Sequence, residues 1–143
     1  MAARPDPTLT EEIGRGIHRV RRLILQEASR RLEERGESLF IWQILNFLDR
    51  CGPQMQSELA EGTGQHPTGL SRLLEEMERE GLVQRARDSR DRRKVRVEPT
   101  ATGRRRLRAG RPSVHSAVEQ VLEPLGMGER RTLRDLLQRL LDV

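Results

Sequence analysis

A mainly α-helical fold with one small β-hairpin is predicted by two patterns in the sequence. Apolar residues recur every three to four positions over most of the chain, which is the spacing of amphipathic helices. The spacing changes to every second residue around Val95 and Val97, which alternate with Arg96 and Glu98 as in a β-strand. With 143 residues, the chain has the length of a single domain.

The first helix is expected between Thr8 and Arg35. Thr8 and Glu11 have the spacing of a capping box at its start, and Gly36 is a plausible stop. Its apolar stripe consists of Ile13, Ile17, Val20, Ile24 and Leu32. This helix is therefore predicted to be long and amphipathic.

Two shorter helices are expected next. The second helix ends near Cys51, and its apolar residues have the spacing i, i+3, i+4, i+7: Ile41, Ile44, Leu45 and Leu48. Pro53 suits the first turn of a short third helix. The glycines at positions 62 and 64 then end that helix.

The fourth helix, from Pro67 to Glu80, has the most regular pattern in the chain, and Gly81 ends it. Its apolar face is Leu70, Leu73, Leu74 and Met77. Packing on that face leaves four residues near the start of the helix pointing outward: Thr68, Gly69, Ser71 and Arg72.

The hairpin is expected to pair residues 82–87 with the strand around Val95, across a polar turn at 88–93. Thr100 can cap a further helix, with Thr102 as the alternative cap. Gly110 and Pro112 are expected to kink or interrupt this helix. A turn at 124–128 precedes a last helix with a leucine-rich face: Leu133, Leu136, Leu137, Leu140 and Leu141.

The basic charge of the chain is concentrated in one segment. The formal net charge is +5, and 26 of the 27 basic residues are arginine. Residues 84–111 contain twelve basic and three acidic side chains, a net charge of +9, which leaves −4 for the rest of the chain. A basic run directly after two helices and a turn indicates contact with nucleic acid.

Several other classes of protein do not fit the sequence. No apolar run approaches the length of a membrane span, and residues 1–10 lack the apolar core of a secretion signal, so we expect a cytoplasmic protein. The single cysteine, Cys51, is expected to be an ordinary half-buried residue rather than a redox sensor. No catalytic constellation, cofactor motif or metal-ligand spacing is found, so we expect neither an enzyme nor a metal site.

The order of short helix, glycine turn, second helix and basic hairpin is that of a winged helix-turn-helix. The outward side chains at 68, 69 and 71 are small, so the backbone can approach a major groove closely. Arg72 has the length and the donors to contact guanine or phosphate. The hairpin tip carries Arg90, Arg92, Arg93 and Lys94, and arginine is attracted to narrow minor grooves.

The amino-acid sequence resembles those of the MarR family of transcription regulators. The match runs without gaps over 59–107 and is strongest from Arg72 to Val83. It continues through Asp91-Arg92-Arg93 in the wing and Thr100-Ala101-Thr102-Gly103 after it. The resemblance implies a ligand-responsive repressor that binds palindromic duplex DNA as a homodimer.

The resemblance also implies roles for individual residues. Thr68, Gly69, Ser71 and Arg72 would take the base-reading positions, and Gln56 and Ser57 would contact phosphates. Arg93 would enter the minor groove, and Asp91 would orient the wing arginines. Residues 37–111 would form the DNA-binding region, and residues 1–36 and 112–143 the dimerisation region. The expected dimer interface includes Ile13, Ile17, Leu133, Leu136, Leu137 and Leu140.

Three alternatives remain open at the level of sequence. Trp42 and Phe47 can pack in the core or line a pocket for a small apolar or aromatic effector. The basic hairpin can serve an RNA-binding module, although residues 84–111 contain no aromatic ring for stacking. The fold can also act as a protein-interaction adaptor without specific DNA readout.

Overall fold

The computed structural model describes residues 4–142, which form six helices and three short strands. The winged helix-turn-helix and the terminal helices predicted from the sequence are both present. In chain order the elements are α1 (Pro7–Glu33), α2 (Leu39–Cys51), β1 (Gln54–Met55), α3 (Gln56–Thr63), α4 (Pro67–Arg79), β2 (Val83–Arg87), β3 (Val95–Pro99), α5 (Ala101–Leu122) and α6 (Met127–Leu141).

Helix α1 begins earlier than expected, and its cap is a different residue. The Asp6 carboxylate accepts hydrogen bonds from the backbone N–H groups of Thr8 and Leu9, at 3.0 and 3.2 Å. The predicted capping box of Thr8 and Glu11 is therefore wrong. A carboxylate satisfies the free N–H groups of the first turn and also interacts favourably with the helix dipole, so Asp6 is the stronger cap.

The core lies where α2, α3, α4 and the sheet meet. Thirteen buried residues form it, and the apolar faces predicted for α2 and α4 provide seven of them: Ile41, Ile44, Leu45, Leu48, Leu70, Leu74 and Met77. Leu73, the remaining member of the predicted α4 face, is half-buried against this cluster. Helical periodicity therefore identified most of the core correctly.

The sheet has a strand that the sequence did not predict. Its order is β1-β3-β2, with β1 antiparallel to β3 and Gln54 opposite Val97. Pro53 therefore precedes a strand, and its predicted place in the first turn of α3 is wrong. Residues 54 and 55 are held extended by a partner more than forty positions away, which local sequence preferences do not report.

Helix α5 runs without interruption from Ala101 to Leu122, with Pro112 inside it. The expected interruption is therefore wrong. Leu107 and Gly110 before the proline and Ala117 after it are all buried, so packing holds both halves of the helix in place. This packing outweighs the backbone hydrogen bond that proline cannot donate. Thr100 caps α5 as predicted, because its hydroxyl accepts the Gly103 N–H at 3.0 Å.

The terminal helices are mostly exposed. In α1, Ala28 and Leu32 are buried, whereas every residue from Pro7 to Leu23 is exposed. Helix α6 has no buried residue. The Arg31 guanidinium donates to the Gln120 side chain at 2.7 Å and so links α1 to α5. Between residues 4 and 142, no helix is both long enough and apolar enough to cross a membrane.

Candidate nucleic-acid interface

The outward face at the start of α4 carries two small polar residues, a glycine and an arginine, as the sequence predicts. Thr68, Gly69 and Arg72 are exposed, and Ser71 is half-buried. His66 caps the helix, since its Nδ1 accepts the Thr68 N–H at 3.2 Å, and Pro67 takes the first helical position. A duplex could therefore approach the first turns of α4 closely.

Gly69 leaves open space on this face, because a Cβ added there meets no atom within 4 Å. We therefore expect Gly69→Ala to raise the free energy of unfolding by about 0.5 kcal/mol, since alanine favours a helix more than glycine does. Chemical unfolding monitored by circular dichroism measures this change. A lower stability would show that residue 69 is not helical or that a side chain at this position meets another atom.

The start of α3 faces the same side. Gln56 and Ser57 occupy its first turn, and its N-cap residue, Met55, provides no side-chain hydrogen bond. The first N–H groups of an α-helix have no partner within the helix, and such groups can bind an anion. The two residues expected to contact phosphate therefore lie where free backbone donors are also present.

The hairpin turn, which we call the wing tip (residues 88–94), is fixed by hydrogen bonds. The Asp88 N–H donates to the Lys94 carbonyl at 2.9 Å, and the Lys94 N–H donates to the Asp91 carbonyl at 3.0 Å. The Asp91 carboxylate accepts from the Arg93 backbone N–H at 3.1 Å and from Arg93 Nε at 3.2 Å. Hydrogen bonds from Arg93 favour the charged carboxylate, and the one from its side chain has the larger effect. They hold the pKa of Asp91 below its ordinary value.

Asp91 thus contacts Arg93, one of the wing arginines that it was expected to orient. The Arg93 side chain is nevertheless 91% exposed, so it projects into solvent. Arg90, Arg92 and Lys94 are exposed beside it. The wing tip therefore presents four cations outside the core.

A cleft of about 520 Å³ lies between α3, α4 and the wing. Five of the residues expected to bind DNA line it: Gln56, Ser57, Ser71, Arg93 and Lys94. The other five, Thr68, Gly69, Arg72, Arg90 and Arg92, are exposed and lie outside its lining. The structure thus brings residues that are distant in sequence to one concave, positively charged surface.

Arg85 also lines the cleft, and sequence reasoning missed it. It contacts Glu78 of α4, and the distance from Arg85 Nε to Glu78 Oε2 is 3.6 Å. The sequence did contain a signal, because strand alternation places residue 85 on the same face as the buried Val83. A charged residue at such a position is unusual and indicates a specific partner.

The basic segment of 84–111 divides into two separate surfaces. Strand β3 leads from the wing tip to the start of α5, and its five residues span roughly 16 Å. Five arginines lie beyond it on α5, of which Arg106 pairs with Glu80 at 3.8 Å and Arg111 with Asp49 at 3.7 Å. The charge of +9 therefore does not all belong to the side of the molecule that carries the cleft and the wing tip.

The two rings considered for an effector pocket border a cavity of about 250 Å³. Trp42 Nε1 donates to the Leu107 carbonyl at 3.2 Å, and the Phe47 ring lies directly against Gly62. Most of the other lining side chains are polar: Arg21, Gln43, Asn46, Arg50 and Thr63. Both rings therefore pack on neighbouring elements, and the effector role stays a prediction.

The residues expected at a dimer interface form an uncovered apolar surface. Ile13, Ile17, Leu136, Leu137 and Leu140 are between 43% and 64% exposed, and Leu133 is half-buried. Side chains of α1 and α6 border an apolar groove of about 450 Å³. Its apolar lining consists of Ile17, Val20, Ile24, Leu25, Leu133 and Leu137.

Cys51 is exposed rather than half-buried, which corrects the expectation from sequence. It ends α2, and the packed face of that helix has already ended one turn earlier at Leu48. No group of three or more potential metal ligands is found among residues 4–142.

Comparisons with known proteins agree with this architecture. Residues 42–94 match the sequence profile of the MarR family. Over 103 residues the chain is 34% identical to the HTH-type transcriptional repressor NicR of Pseudomonas putida, an alignment that covers 68% of the chain and 65% of NicR. The transcriptional repressor MprA of Escherichia coli is 27% identical over 120 residues, which cover 82% of the chain and 68% of MprA. The chain therefore spans about two thirds of the length of these relatives.

Solved structures are similar over almost the whole chain. A MarR-family regulator from Rhodococcus sp. RHA1 is 25% identical, with a TM-score of 0.78 and coverage of 94% of this chain and 96% of the other. Apo MarR of Escherichia coli has a TM-score of 0.81 at 21% identity, with 99% of both chains covered, and shows the shared fold. The matched profile, the repressor relatives and the shared fold together show that the chain belongs to the MarR family.

Proposed function

We propose that the protein is a transcription regulator that represses by binding palindromic duplex operator DNA as a homodimer. Residues 37–111 form its DNA-binding region, and residues 1–36 and 112–143 form its dimerisation region. A small ligand that binds near Trp42 and Phe47 releases the operator. NicR and MprA, two similar proteins, are named as transcriptional repressors, which supports the proposal.

The observation that carries DNA binding is the cleft between α3, α4 and the wing. It combines the free N–H groups at the start of α3 with the side chains of Arg85, Arg93 and Lys94, and none of the described residues that line it is acidic. Such a surface suits a phosphate backbone. The exposed start of α4 then faces the major groove, and the wing tip faces the adjacent minor groove.

The observation that carries dimerisation is the apolar surface of α1 and α6. Single exposed apolar residues are common, but here they form one stripe along two helices that meet in a groove. A second copy of the same stripe, related by a two-fold axis, would bury it and would pair two DNA-binding regions. Two such regions match the two halves of a palindrome.

Two alternatives give different experimental outcomes. An RNA-binding module would prefer single-stranded RNA in competition, and a protein-interaction adaptor would bind neither nucleic acid with sequence preference. We expect a duplex from the region upstream of the protein's own gene to compete at least tenfold better than RNA of the same length. Preference for the RNA would contradict the proposed binding of duplex DNA.

Salt dependence tests the electrostatic part of the proposal. If the cleft and wing neutralise six or more phosphates, affinity for that duplex falls by about 10³-fold or more between 50 and 200 mM salt. Titration of a labelled duplex at several salt concentrations measures the slope. An affinity that hardly changes over this range would contradict binding through the cleft and the wing tip.

Arg72 and Arg93 are expected to contribute in different ways. Arg72→Ala should weaken operator binding by about 1–3 kcal/mol and relax its specificity, because a bidentate contact to guanine would be lost. Arg93→Ala should weaken binding to all duplexes alike, since a minor-groove arginine responds mainly to groove shape. Titrations with operator and with shuffled duplex separate the two effects.

Arg79→Ala is the matched control, because Arg79 is exposed in the last turn of the same helix. It should leave the preference for operator over shuffled duplex unchanged. Equal preference in Arg72→Ala and wild type would show that the start of α4 does not read bases.

A further inference from the structure

We propose that Arg85 binds a phosphate of the DNA backbone within the cleft and that Glu78 is the positioning residue that holds Arg85 there. The proposal rests on the proposed DNA-binding function and assigns a specific contact to it. It concerns a residue at the side of the cleft rather than at the wing tip.

Glu78 holds both the backbone and the side chain of Arg85. Its Oε2 accepts the Arg85 backbone N–H at 3.1 Å and lies 3.6 Å from Arg85 Nε. Strand β2 is an edge strand, since the sheet order is β1-β3-β2. One carboxylate at the end of α4 therefore satisfies an edge-strand donor and fixes the direction of the guanidinium.

The Arg85 guanidinium has donors left for a ligand. Its Nε is the guanidinium nitrogen nearest to Glu78, and among residues 4–142 neither of its two terminal nitrogens donates a hydrogen bond. The Arg85 side chain is 19% exposed, and the residue lines the cleft. A partly desolvated cation with unused donors interacts more strongly with an anion than a fully solvated one does.

The surroundings identify the anion as a phosphate of the backbone. The same cleft is lined by Gln56 and Ser57, at the free N-terminus of α3, and by Lys94. Converging backbone donors and cations suit the tetrahedral oxygens of phosphate, whereas base edges are read by side chains that project into a groove. Arg93, which is 91% exposed, projects in that manner, and Arg85 does not.

The first test compares Arg85→Gln with Arg79→Gln, which removes the same charge from an exposed position of α4 outside the cleft. We expect Arg85→Gln to weaken binding of operator and shuffled duplex alike, by about tenfold, and to reduce the salt slope by about one per protomer. Arg85→Lys should recover part of the affinity, because it restores the charge but not the planar donors. Equal effects of Arg85→Gln and Arg79→Gln would overturn the proposal.

The second test depends on whether Glu78→Gln raises or lowers the affinity for duplex DNA. Glu78 is an acidic residue near the surface that faces DNA, so simple electrostatics predicts that Glu78→Gln strengthens binding. If Glu78 positions Arg85, the same substitution should weaken binding about threefold or more, although the protein becomes less negative. Stronger binding would overturn the positioning role.

Two further measurements keep the tests decisive. Circular dichroism and thermal unfolding identify any variant that has lost its fold, and Arg85→Lys then serves as the milder probe. If the wild-type protein binds no duplex, the proposed function fails. If the wild type binds and Arg85→Gln matches Arg79→Gln, only the assignment of Arg85 fails.

Discussion

Ile17→Glu and Leu137→Glu are each expected to convert the proposed dimer into a monomer. Both side chains line the apolar groove between α1 and α6, and a charge there would have to be buried without a partner. Binding of the whole palindrome should fall by at least 100-fold, because a linked second half-site raises affinity by about 10²–10⁴-fold. Sedimentation velocity and operator titration measure the two effects.

Gln138→Glu provides the matched control for these variants. It adds one negative charge to an exposed position of α6 next to Leu137 in sequence but outside the groove lining. We expect it to leave both the oligomeric state and the operator affinity unchanged. A wild-type protein that sediments as a monomer at micromolar concentration, or an Ile17→Glu variant that stays dimeric, would contradict the proposed interface.

Gly103→Ala is expected to destabilise the protein by about 3 kcal/mol. A Cβ at this position would lie closer than 3.0 Å to the backbone carbonyl oxygen of Leu82, so the helix or the start of the hairpin would have to move. This contact involves backbone, so a change of rotamer cannot relieve it, and the cost should reach the upper end of the range for overpacked cores. Urea unfolding measures the loss.

The control is the same substitution at a glycine with free space. Gly128 lies in the first turn of α6, and a Cβ there meets no atom within 4 Å. Gly128→Ala should therefore be neutral or slightly stabilising. Equal stability of Gly103→Ala and wild type would mean that α5 does not approach Leu82 as closely as the structure shows.

Local patterns in the sequence were sufficient to predict the elements that carry the site. Helical spacing identified the buried face of α4 from Leu70 to Met77, and strand alternation identified the hairpin. The exposed start of α4 followed from these faces, because a residue that does not pack inward points outward. The wing cations could be found because they are contiguous in the chain, whereas the role of Asp91 was implied only by the resemblance to the MarR family.

Features that depend on distant partners could not be predicted. Strand β1 exists because residues 54 and 55 pair with β3, and α5 passes through Pro112 because buried residues hold it on both sides. Strand alternation marks Arg85 as a charged residue on an inward face, but its partner Glu78, which lies on another element, could not be identified from the sequence. In each case tertiary contacts outweigh the local preference of the residues, so a reading of neighbours in sequence misses them.

The pairing of β1 with β3 has a consequence for the thermodynamics of the proposed DNA binding. Met55 lies opposite Arg96, so the residue just before α3 and the strand that leads from the wing tip belong to one hydrogen-bonded ladder. The separation between the start of α3 and the base of the wing is therefore set before any ligand arrives. The entropic cost of ordering these two segments arises during folding. Binding of a duplex therefore does not incur this cost a second time.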